Sequence, residues 1–414
     1  MLRKISVENV KTGMFIHQMC GAWIDIPFWT KSFLVSSEQL RIRVQASGVR
    51  DLIIDTDRGD DLADDVPAAP MAAAPAPAPA PAPAAAPASA RAPLRALEIA
   101  PASVAQEFGR AARVIAKSKL AVSSMFSEAR MGQLSSVEGA SALVEEISAS
   151  VLRNPQALVA LSRLKTSDDY TYMHSVAVCA MMIALARQLG LSDQEVQACG
   201  EAGLLHDIGK MAIPPAILNK PGRLTDDEFT SVRAHPRAGY EMLASVGGIS
   251  PTVLDVCLHH HEKFDGSGYP SRLTRDAISL YARMGAVCDV YDAITSNRPY
   301  KAGWCPAESL RRMAEWSKEG HFDPAIFTAF VKCVGIYPIG TLLKLASGRL
   351  AVVVDISKSL LRPVVKVLFS TRSMTYLPPQ VIDLSLMPES EAVVSREDAS
   401  QWGLVDIERY WSQA

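Results

Sequence analysis

Histidine and aspartate side chains recur through the middle of this 414-residue sequence at a spacing that could build a metal centre. The most compact signal is the dipeptide His206-Asp207, which follows Leu204-Leu205 and precedes Lys210 within about one helical turn. An imidazole and a carboxylate that leave a buried segment together can bind one cation. The other candidate ligands in this region are His174, His235, His260, His261 and Asp289.

These candidates follow one another at intervals of roughly 25 to 32 residues, which is about one helix and a connection each time, so a helical bundle could bring them to one centre. Nitrogen and carboxylate ligands suit iron, manganese or zinc. Each residue alone has a simpler explanation: a single His-Asp pair is often accidental, and Asp289 could cap a helix or form an ion pair. Three consecutive histidines cannot all face one side of a helix, so we expect His259 to be a spectator.

The elements that must position these residues are predicted to be helices. Between residues 153 and 338, Ser192 to Glu195 and Thr225 to Glu228 fit the capping box, and each precedes an apolar-periodic run. Proline and glycine residues divide this region into helices of ordinary length. We therefore expect residues 153–338 to form an all-α catalytic domain in a mainly α protein.

The remaining chain divides into four segments. Residues 1–64 alternate short apolar runs with glycines, which predicts a small β-rich N-terminal module. Residues 65–95 are rich in alanine and proline, which favours an extended spacer over a ligand for a proline-binding partner. Residues 96–152 have helical periodicity and predict a connector that packs on the next domain or pairs with a second chain. Residues 339–414 shift towards a period of two, which predicts a short β-rich appendage.

Composition narrows the functional classes. A hydrophobic content of 49% supports a substantial core, and a net charge of -2 gives no global attraction to a DNA or RNA duplex or to an anionic membrane. The seven cysteines show no CxxC pairing and are typical of reduced thiols in a cytosolic protein. No secretory signal and no apolar run of about 18 residues is present, so we expect a cytoplasmic protein without a membrane span.

Four motifs follow one another through this region. They are His206-Asp207-Ile208-Gly209-Lys210, Lys220-Pro221-Gly222-Arg223-Leu224-Thr225, His260-His261-Glu262-Lys263-Phe264-Asp265-Gly266-Ser267-Gly268-Tyr269-Pro270 and Asp289-Val290-Tyr291-Asp292-Ala293. Taken together, they closely resemble the motifs of the HD-GYP family, a branch of the HD metal-dependent phosphohydrolases that degrades the bacterial second messenger cyclic di-GMP. The match covers about residues 155–335, and the first 60 residues also resemble, more loosely, a small N-terminal domain often attached to this family.

The resemblance implies a centre of two or three metal ions, often iron or manganese, in which Asp207 bridges two of them. The other ligands would be His206 and Asp289 on one ion and His235, His260 and His261 on the other, with His174 beside the cluster.

The sequence also bears on the number of ions. Family members with a third ion carry a glutamate one helical turn before the equivalent of His174, where this chain has Tyr170. Asp169 could complete a third site only if the helix were rotated or distorted. We therefore expect two divalent ions, iron or manganese.

The reaction implied by the resemblance is hydrolysis of cyclic di-GMP to pGpG, GMP or both, by attack of a metal-bridging hydroxide. His206, Asp207 and Lys210 would be catalytic. Lys210 would also bind the substrate, together with Arg298, Lys301 and Tyr269, because basic side chains bind phosphate oxygens and the tyrosine could face a base. The simpler explanation of the three basic residues is a solvated surface.

Two alternatives remain. One is a non-catalytic signalling module that binds a cyclic dinucleotide or a protein partner through the same cleft, and the other is an HD hydrolase that acts on another nucleotide. The complete ligand set favours catalysis, and the Gly-Tyr-Pro loop counts against another nucleotide. Further expectations are signalling-protein partners and, as an alternative to intrachain packing of the connector, a homodimer.

Overall fold

The computed structural model describes residues 2–20, 33–45, 51–60, 100–134, 136–164, 170–220, 222–296 and 303–412. The chain divides into two compact units, Met1–Glu98 and Ile99–Ala414. Among the described residues, no helix has both the length and the apolar composition that crossing a bilayer requires. The six cysteines whose side chains are described are free thiols.

The first unit contains a four-stranded antiparallel sheet with the order β1-β4-β2-β3. Alternate residues of the central strand β4 are buried, among them Leu52 and Ile54, as expected when one face of a sheet covers a core. The predicted β-rich N-terminal module is therefore confirmed. Its elements are β1 (Leu2–Ser6), β2 (Phe15–Cys20), β3 (Phe33–Leu34), α1 (Glu38–Gln45) and β4 (Asp51–Asp55).

The second unit begins with twelve named helices, several of which start where the sequence places a cap. Both predicted capping boxes are present, at Ser192 with Glu195 and at Thr225 with Glu228. The helices are α2 (Val104–Arg130), α3 (Glu138–Arg153), α4 (Pro155–Ser162), α5 (Tyr170–Gln188), α6 (Asp193–Leu205), α7 (Pro215–Leu218), α8 (Asp226–Arg233), α9 (His235–Val246), α10 (Pro251–His259), α11 (Leu280–Thr295), α12 (Pro306–Lys318) and α13 (Pro324–Val334).

Helix α5 is the central element of this unit. Its residues from Val176 to Ile183 are buried, and it packs against α2, α3, α4, α6, α11 and α13. Its approach to α6 is especially close at Gly203, where a Cβ atom would lie 2.8 Å from the Cα of Cys179. A glycine at this crossing therefore lets the two helices that carry His174 and His206 pack backbone to backbone.

The predicted connector helices pack within the same chain. Helix α2 contacts α4 and α5, and helix α3 contacts α5 and α6. A buried carboxylate joins the two: Glu107 of α2 accepts hydrogen bonds from the Ser150 hydroxyl at 2.8 Å and from Arg153 Nε at 2.7 Å. Intrachain packing is thus the arrangement adopted by α2 and α3, and pairing with a second chain stays a prediction.

A five-stranded antiparallel sheet, with the order β8-β7-β6-β5-β9, follows the helices. It is joined to them by the ion pair of Arg396 with Glu308 of α12 at 2.6 Å and by the Val104 amide, which donates to Asp355 at 2.9 Å. The predicted fold class is confirmed, while the five-segment division of the chain stays a prediction. The elements are β5 (Leu342–Leu345), β6 (Arg349–Asp355), β7 (Val364–Ser370), β8 (Thr375–Asp383), β9 (Val393–Arg396) and α14 (Arg409–Ser412).

Replacing Glu107 should destabilise the second unit. We expect Glu107→Ala to lower the free energy of unfolding by about 2 to 4 kcal/mol, because it leaves Arg153 and Ser150 without their buried acceptor while Arg153 keeps some contact with water. Urea denaturation followed by circular dichroism measures this change. Glu146→Ala is the matched control, since Glu146 pairs with Lys117 at the surface and should contribute less than about 1 kcal/mol. Equal losses in the two variants would contradict the importance of the buried network.

Candidate metal centre

Two groups of candidate ligands meet where α6 ends. His206 and Asp207 follow the last residue of α6 and are buried, and a short 3-10 turn over residues 208–212 comes next. Each residue of a group offers one potential ligand atom, and the ligand atoms of a group all lie within 4.8 Å of one another. The first group is His174, His206 and Asp207, and the second is His235, His260 and His261.

The carboxylate of Asp207 joins these two groups. Its Oδ2 lies 3.4 Å from His174 Nε2 and 3.3 Å from His206 Nε2, whereas its Oδ1 lies 3.3 Å from His235 Nε2 and 3.8 Å from His260 Nε2. Each oxygen therefore faces a different group of imidazoles. A carboxylate in this position can serve two cations at once.

Backbone carbonyl groups fix the tautomers of three of these histidines. Nδ1 of His206 donates to the Gly203 carbonyl at 2.8 Å, and Nδ1 of His235 donates to that of Val232 at 2.7 Å. Nδ1 of His260 donates to the carbonyl of Val256 at 3.0 Å. Because a carbonyl oxygen only accepts, the proton of each neutral ring is on Nδ1 and the lone pair is on Nε2, the arrangement found in metal-binding histidines.

The resulting donor set fits a cation. Nε2 of His235 and Nε2 of His260 are only 3.4 Å apart, although both are lone-pair atoms in these tautomers and cannot hydrogen-bond to each other. Among the described residues, the buried atoms His206 Nε2 and Asp207 Oδ1 also have no hydrogen-bond partner. Buried acceptors that converge without donors are costly unless a positive charge lies between them.

His174 is held by aspartates instead of carbonyl groups. Its Nδ1 donates to Asp292 Oδ2 at 2.7 Å, and its Nε2 lies 3.0 Å from Asp289 Oδ1. Burial opposes protonation, but the hydrogen bonds with Asp207, Asp289 and Asp292 raise the pKa of His174 to about 10. The structure places His174 within the first group, whereas the resemblance implied a position beside the cluster.

The charges of the remaining groups favour cation binding. Burial alone would raise the pKa of Asp207, but the nearby Lys210 ammonium and the imidazoles of His206 and His174 hold this pKa well below its usual range. Lys210 Nζ donates directly to Asp207 Oδ2. Burial and neighbouring groups lower the pKa of His261 to about 3. The carboxylate is therefore ionised and this imidazole neutral at physiological pH, as metal ligands must be.

The loop with the Gly-Tyr-Pro sequence packs on the second group. The Tyr269 ring stacks on His261, with centroids 4.7 Å apart and planes 28° apart. The buried Glu262 carboxylate accepts the amide hydrogens of Ser271 at 2.6 Å and Leu273 at 3.0 Å. At Gly268 a Cβ atom would overlap the backbone of residues 262 and 263, so only glycine lets the loop fold back so closely.

Sequence reasoning missed two of these residues. Asp292, which orients His174, follows Asp289 by one turn of α11, and Glu262 directly follows His261. Both were visible within motifs, and the one-turn spacing of Asp289 and Asp292 was a usable signal. The expected spectator His259 pairs with Asp255 at 2.8 Å and belongs to neither group. Arg298, Lys301, Asp169 and the side chain of Tyr170 lie outside the described residues, so their roles stay predictions.

The residues of this cluster lie in a part of the chain that is similar to a known domain family. A model of the HD domain matches residues 149–326. The chain is 53% identical over 416 residues to a cyclic di-GMP phosphodiesterase of Pseudomonas aeruginosa, and the match covers 100% of this chain and 96% of that protein. This chain belongs to the HD-GYP family of HD-domain phosphohydrolases. Such HD-domain enzymes are metal-dependent, and the two groups around Asp207 are compatible with metal binding.

Other similarities of this HD-GYP protein are partial. The cyclic di-GMP phosphodiesterase response regulator RpfG of Xanthomonas campestris pv. campestris is 44% identical over 186 residues, 42% of this chain and 47% of that protein. A 3'3'-cGAMP-specific phosphodiesterase of Vibrio cholerae is 36% identical over 169 residues, 41% of this chain and 36% of that protein. A model described as a domain of unknown function matches residues 2–140, so it extends from the N-terminal sheet to the start of α3.

Asp292 should control metal affinity through His174. We expect Asp292→Ala to weaken metal binding by about 10- to 100-fold, because the imidazole loses the hydrogen bond that orients it. Competition with a fluorescent chelator measures the manganese affinity. Asp255→Ala is the control, since it removes an equivalent aspartate from His259, which belongs to neither ligand group. Equal affinities of Asp292→Ala and wild type would contradict this role.

Gly209 should be required for the turn after Asp207. A Cβ atom there would overlap the carbonyl oxygen of His235 and the amide of Gly239, so Gly209→Ala should force the turn away from α9. We expect an unfolding free energy at least about 2 kcal/mol lower, measured by urea denaturation. Gly109→Ala is the control, because Gly109 lies within α2 with open space around its Cα, and alanine should stabilise a helix by up to about 1 kcal/mol. A Gly209→Ala protein as stable as wild type would contradict the close packing.

Proposed function

We propose that this protein hydrolyses cyclic di-GMP to pGpG, GMP or both. The observation that carries the proposal is the position of Asp207, whose two carboxylate oxygens face two separate groups of buried imidazoles. A phosphodiester resists hydrolysis because its anionic oxygens repel a hydroxide, and a paired cation site removes this obstacle. The substrate is proposed from the name of the Pseudomonas aeruginosa relative, to which the whole chain is similar.

The proposed centre holds two divalent ions, iron or manganese. Asp207 would bind both, and the remaining ligands divide according to the two groups. His174 would bind the first ion after losing its Nε2 proton, together with His206 and with Asp289, whose Oδ1 lies 3.0 Å from that nitrogen. His235, His260 and His261 would bind the second ion. Two observations support this division: the separation of the groups on the two sides of Asp207, and the unpaired lone pairs within them.

Within this centre the protein would hold the ligand atoms in place and add one positive charge. When bound, the two cations would provide a hydroxide at neutral pH and neutralise charge on the phosphoryl oxygens. The carbonyl of Gly203 keeps the proton of His206 on Nδ1, so its Nε2 is kept for a cation. Lys210 provides a positive charge beside Asp207, from which it would contact a phosphate oxygen of the substrate.

The loop after the ligand pair would shape the substrate cleft. Glu262 holds the backbone of Ser271 and Leu273, and this arrangement keeps Tyr269 against His261. Tyr269 is therefore part of the proposed binding surface. Arg298 and Lys301 remain proposed phosphate ligands on the basis of their sequence motif alone.

A second candidate substrate is 3'3'-cGAMP, because three relatives from Vibrio cholerae carry names specifying that dinucleotide. These similarities cover only 38% to 42% of this chain, whereas the similarity to the Pseudomonas aeruginosa phosphodiesterase covers all of it. Cyclic di-GMP is therefore the better proposal. A cytoplasmic location, signalling-protein partners and a homodimer stay predictions.

Hydrolysis should depend on the His206-Asp207 pair. We expect protein reconstituted with Fe(II) or Mn(II) to convert cyclic di-GMP to a linear product, and His206→Ala and Asp207→Ala to lose at least about 100-fold in kcat, because each removes a ligand from the centre. Chromatography of the products measures turnover, with 3'3'-cGAMP assayed in parallel.

His259→Ala is the control for this assay, since it removes a neighbouring histidine that belongs to neither ligand group. It should retain activity close to that of wild type. Wild-type turnover no greater than that of Asp207→Ala, under both metals, would contradict the proposed enzyme and favour a non-catalytic binding module.

A further inference from the structure

Arg233 lies at the edge of the metal centre, next to the Gly-Tyr-Pro loop. It is the last residue of α8, two positions before His235, and its side chain is partly buried. Its guanidinium carbon lies 4.5 Å from the centroid of the Tyr269 ring, the same ring that stacks on His261. Arg233 and the proposed metal ligand His261 therefore contact the same aromatic ring.

Within the described part of the chain, the guanidinium of Arg233 has no anionic partner. Among the described residues it forms neither an ion pair nor a hydrogen bond, and its neighbours are the rings of Tyr269 and, at 5.9 Å, Phe229. Other partly buried arginines of this unit are paired, as with Arg153 to Glu107 and Arg283 to Asp323, both at 2.7 Å. A guanidinium that contacts only aromatic rings has N–H groups that can still donate hydrogen bonds to a ligand.

The proposed substrate carries a second anion in addition to the one that the two ions would bind. A cyclic dinucleotide carries two phosphodiesters in one ring, and only one of them can occupy the metal centre at a time. The other carries a full negative charge and would approach a site that already contains the carboxylates of Asp207 and Asp289. Lys210 donates to Asp207 and is the proposed contact of the phosphate at the metal centre, so the other phosphodiester needs a further cation.

We propose that Arg233 binds the phosphodiester that is not being cleaved, an inference that rests on the proposed function. The planar guanidinium would donate two parallel hydrogen bonds to its oxygens, while the Tyr269 ring keeps the guanidinium in place. This interaction distinguishes a substrate with two phosphodiesters from a substrate with one. Arg233 is thus a specificity residue for cyclic dinucleotides.

A comparison of two substrates tests this assignment. Cyclic di-GMP has two phosphodiesters, whereas bis(p-nitrophenyl) phosphate has only one. The rate at which the second compound is hydrolysed therefore depends on the metal centre and not on a site for another phosphodiester. For Arg233→Met, with the manganese content of wild type, we expect KM for cyclic di-GMP to rise about 10- to 100-fold, the usual effect of losing a hydrogen bond to a charged group. Hydrolysis of bis(p-nitrophenyl) phosphate should stay within about twofold of wild type.

Two more variants complete the experiment. Arg233→Lys keeps the charge without the planar donor pair, so its KM for cyclic di-GMP should lie between those of Arg233→Met and wild type. Arg187→Met is the matched control, because Arg187 is at the opposite end of α5 from His174, about 20 Å away. It should change the hydrolysis of neither substrate.

An unchanged KM for cyclic di-GMP in Arg233→Met and Arg233→Lys would overturn the assignment. Equal losses on both substrates, together with a reduced manganese content, would also overturn it, because Arg233 would then act on the metal centre. A wild-type protein that hydrolyses bis(p-nitrophenyl) phosphate but not cyclic di-GMP would instead refute the proposed function, so the two failures are distinguishable.

Discussion

The structure of the metal centre depends on one buried carboxylate, that of Asp207, which has imidazoles on both sides. A buried ionised carboxylate is unfavourable unless positive charge compensates it, and here the Lys210 ammonium, which donates to Asp207 Oδ2, provides part of this charge. Two oxygens that face opposite groups allow one residue to serve two cations. The position of Asp207 at the end of α6 therefore determines where every other ligand must be.

The helices satisfy this requirement by presenting their ends to a common point. Ligands come from the second turn of α5, from the residues that directly follow α6 and α10, from the start of α9 and from the middle of α11. Four of the five imidazoles are oriented by a hydrogen bond from Nδ1, to a carbonyl group for His206, His235 and His260 and to Asp292 for His174. Close approaches at Gly203 and Gly209 bring α5, α6 and α9 together. The geometry of the site is thus a property of helix packing and not of a flexible loop.

Much of this arrangement follows from sequence, because it is encoded in residue types at regular spacing. The candidate ligands stand out since histidine and aspartate recur once per helix, and the capping boxes at Ser192 and Thr225 mark two helix starts. The roles of Glu262 and Arg233 could not be inferred in this way. Their partners are backbone amides and an aromatic ring that only the folded chain brings near. The same holds for the C-terminal sheet, whose attachment to the helices through Arg396 and Asp355 joins residues distant in sequence.

The most direct test of this account is a crystal structure of the manganese-loaded protein with anomalous diffraction data. We predict two ions per chain, each bound by a different oxygen of Asp207, with His174, His206 and Asp289 on one ion and His235, His260 and His261 on the other. One ion, three fully occupied ions, or two ions of which only one contacts Asp207 would contradict it.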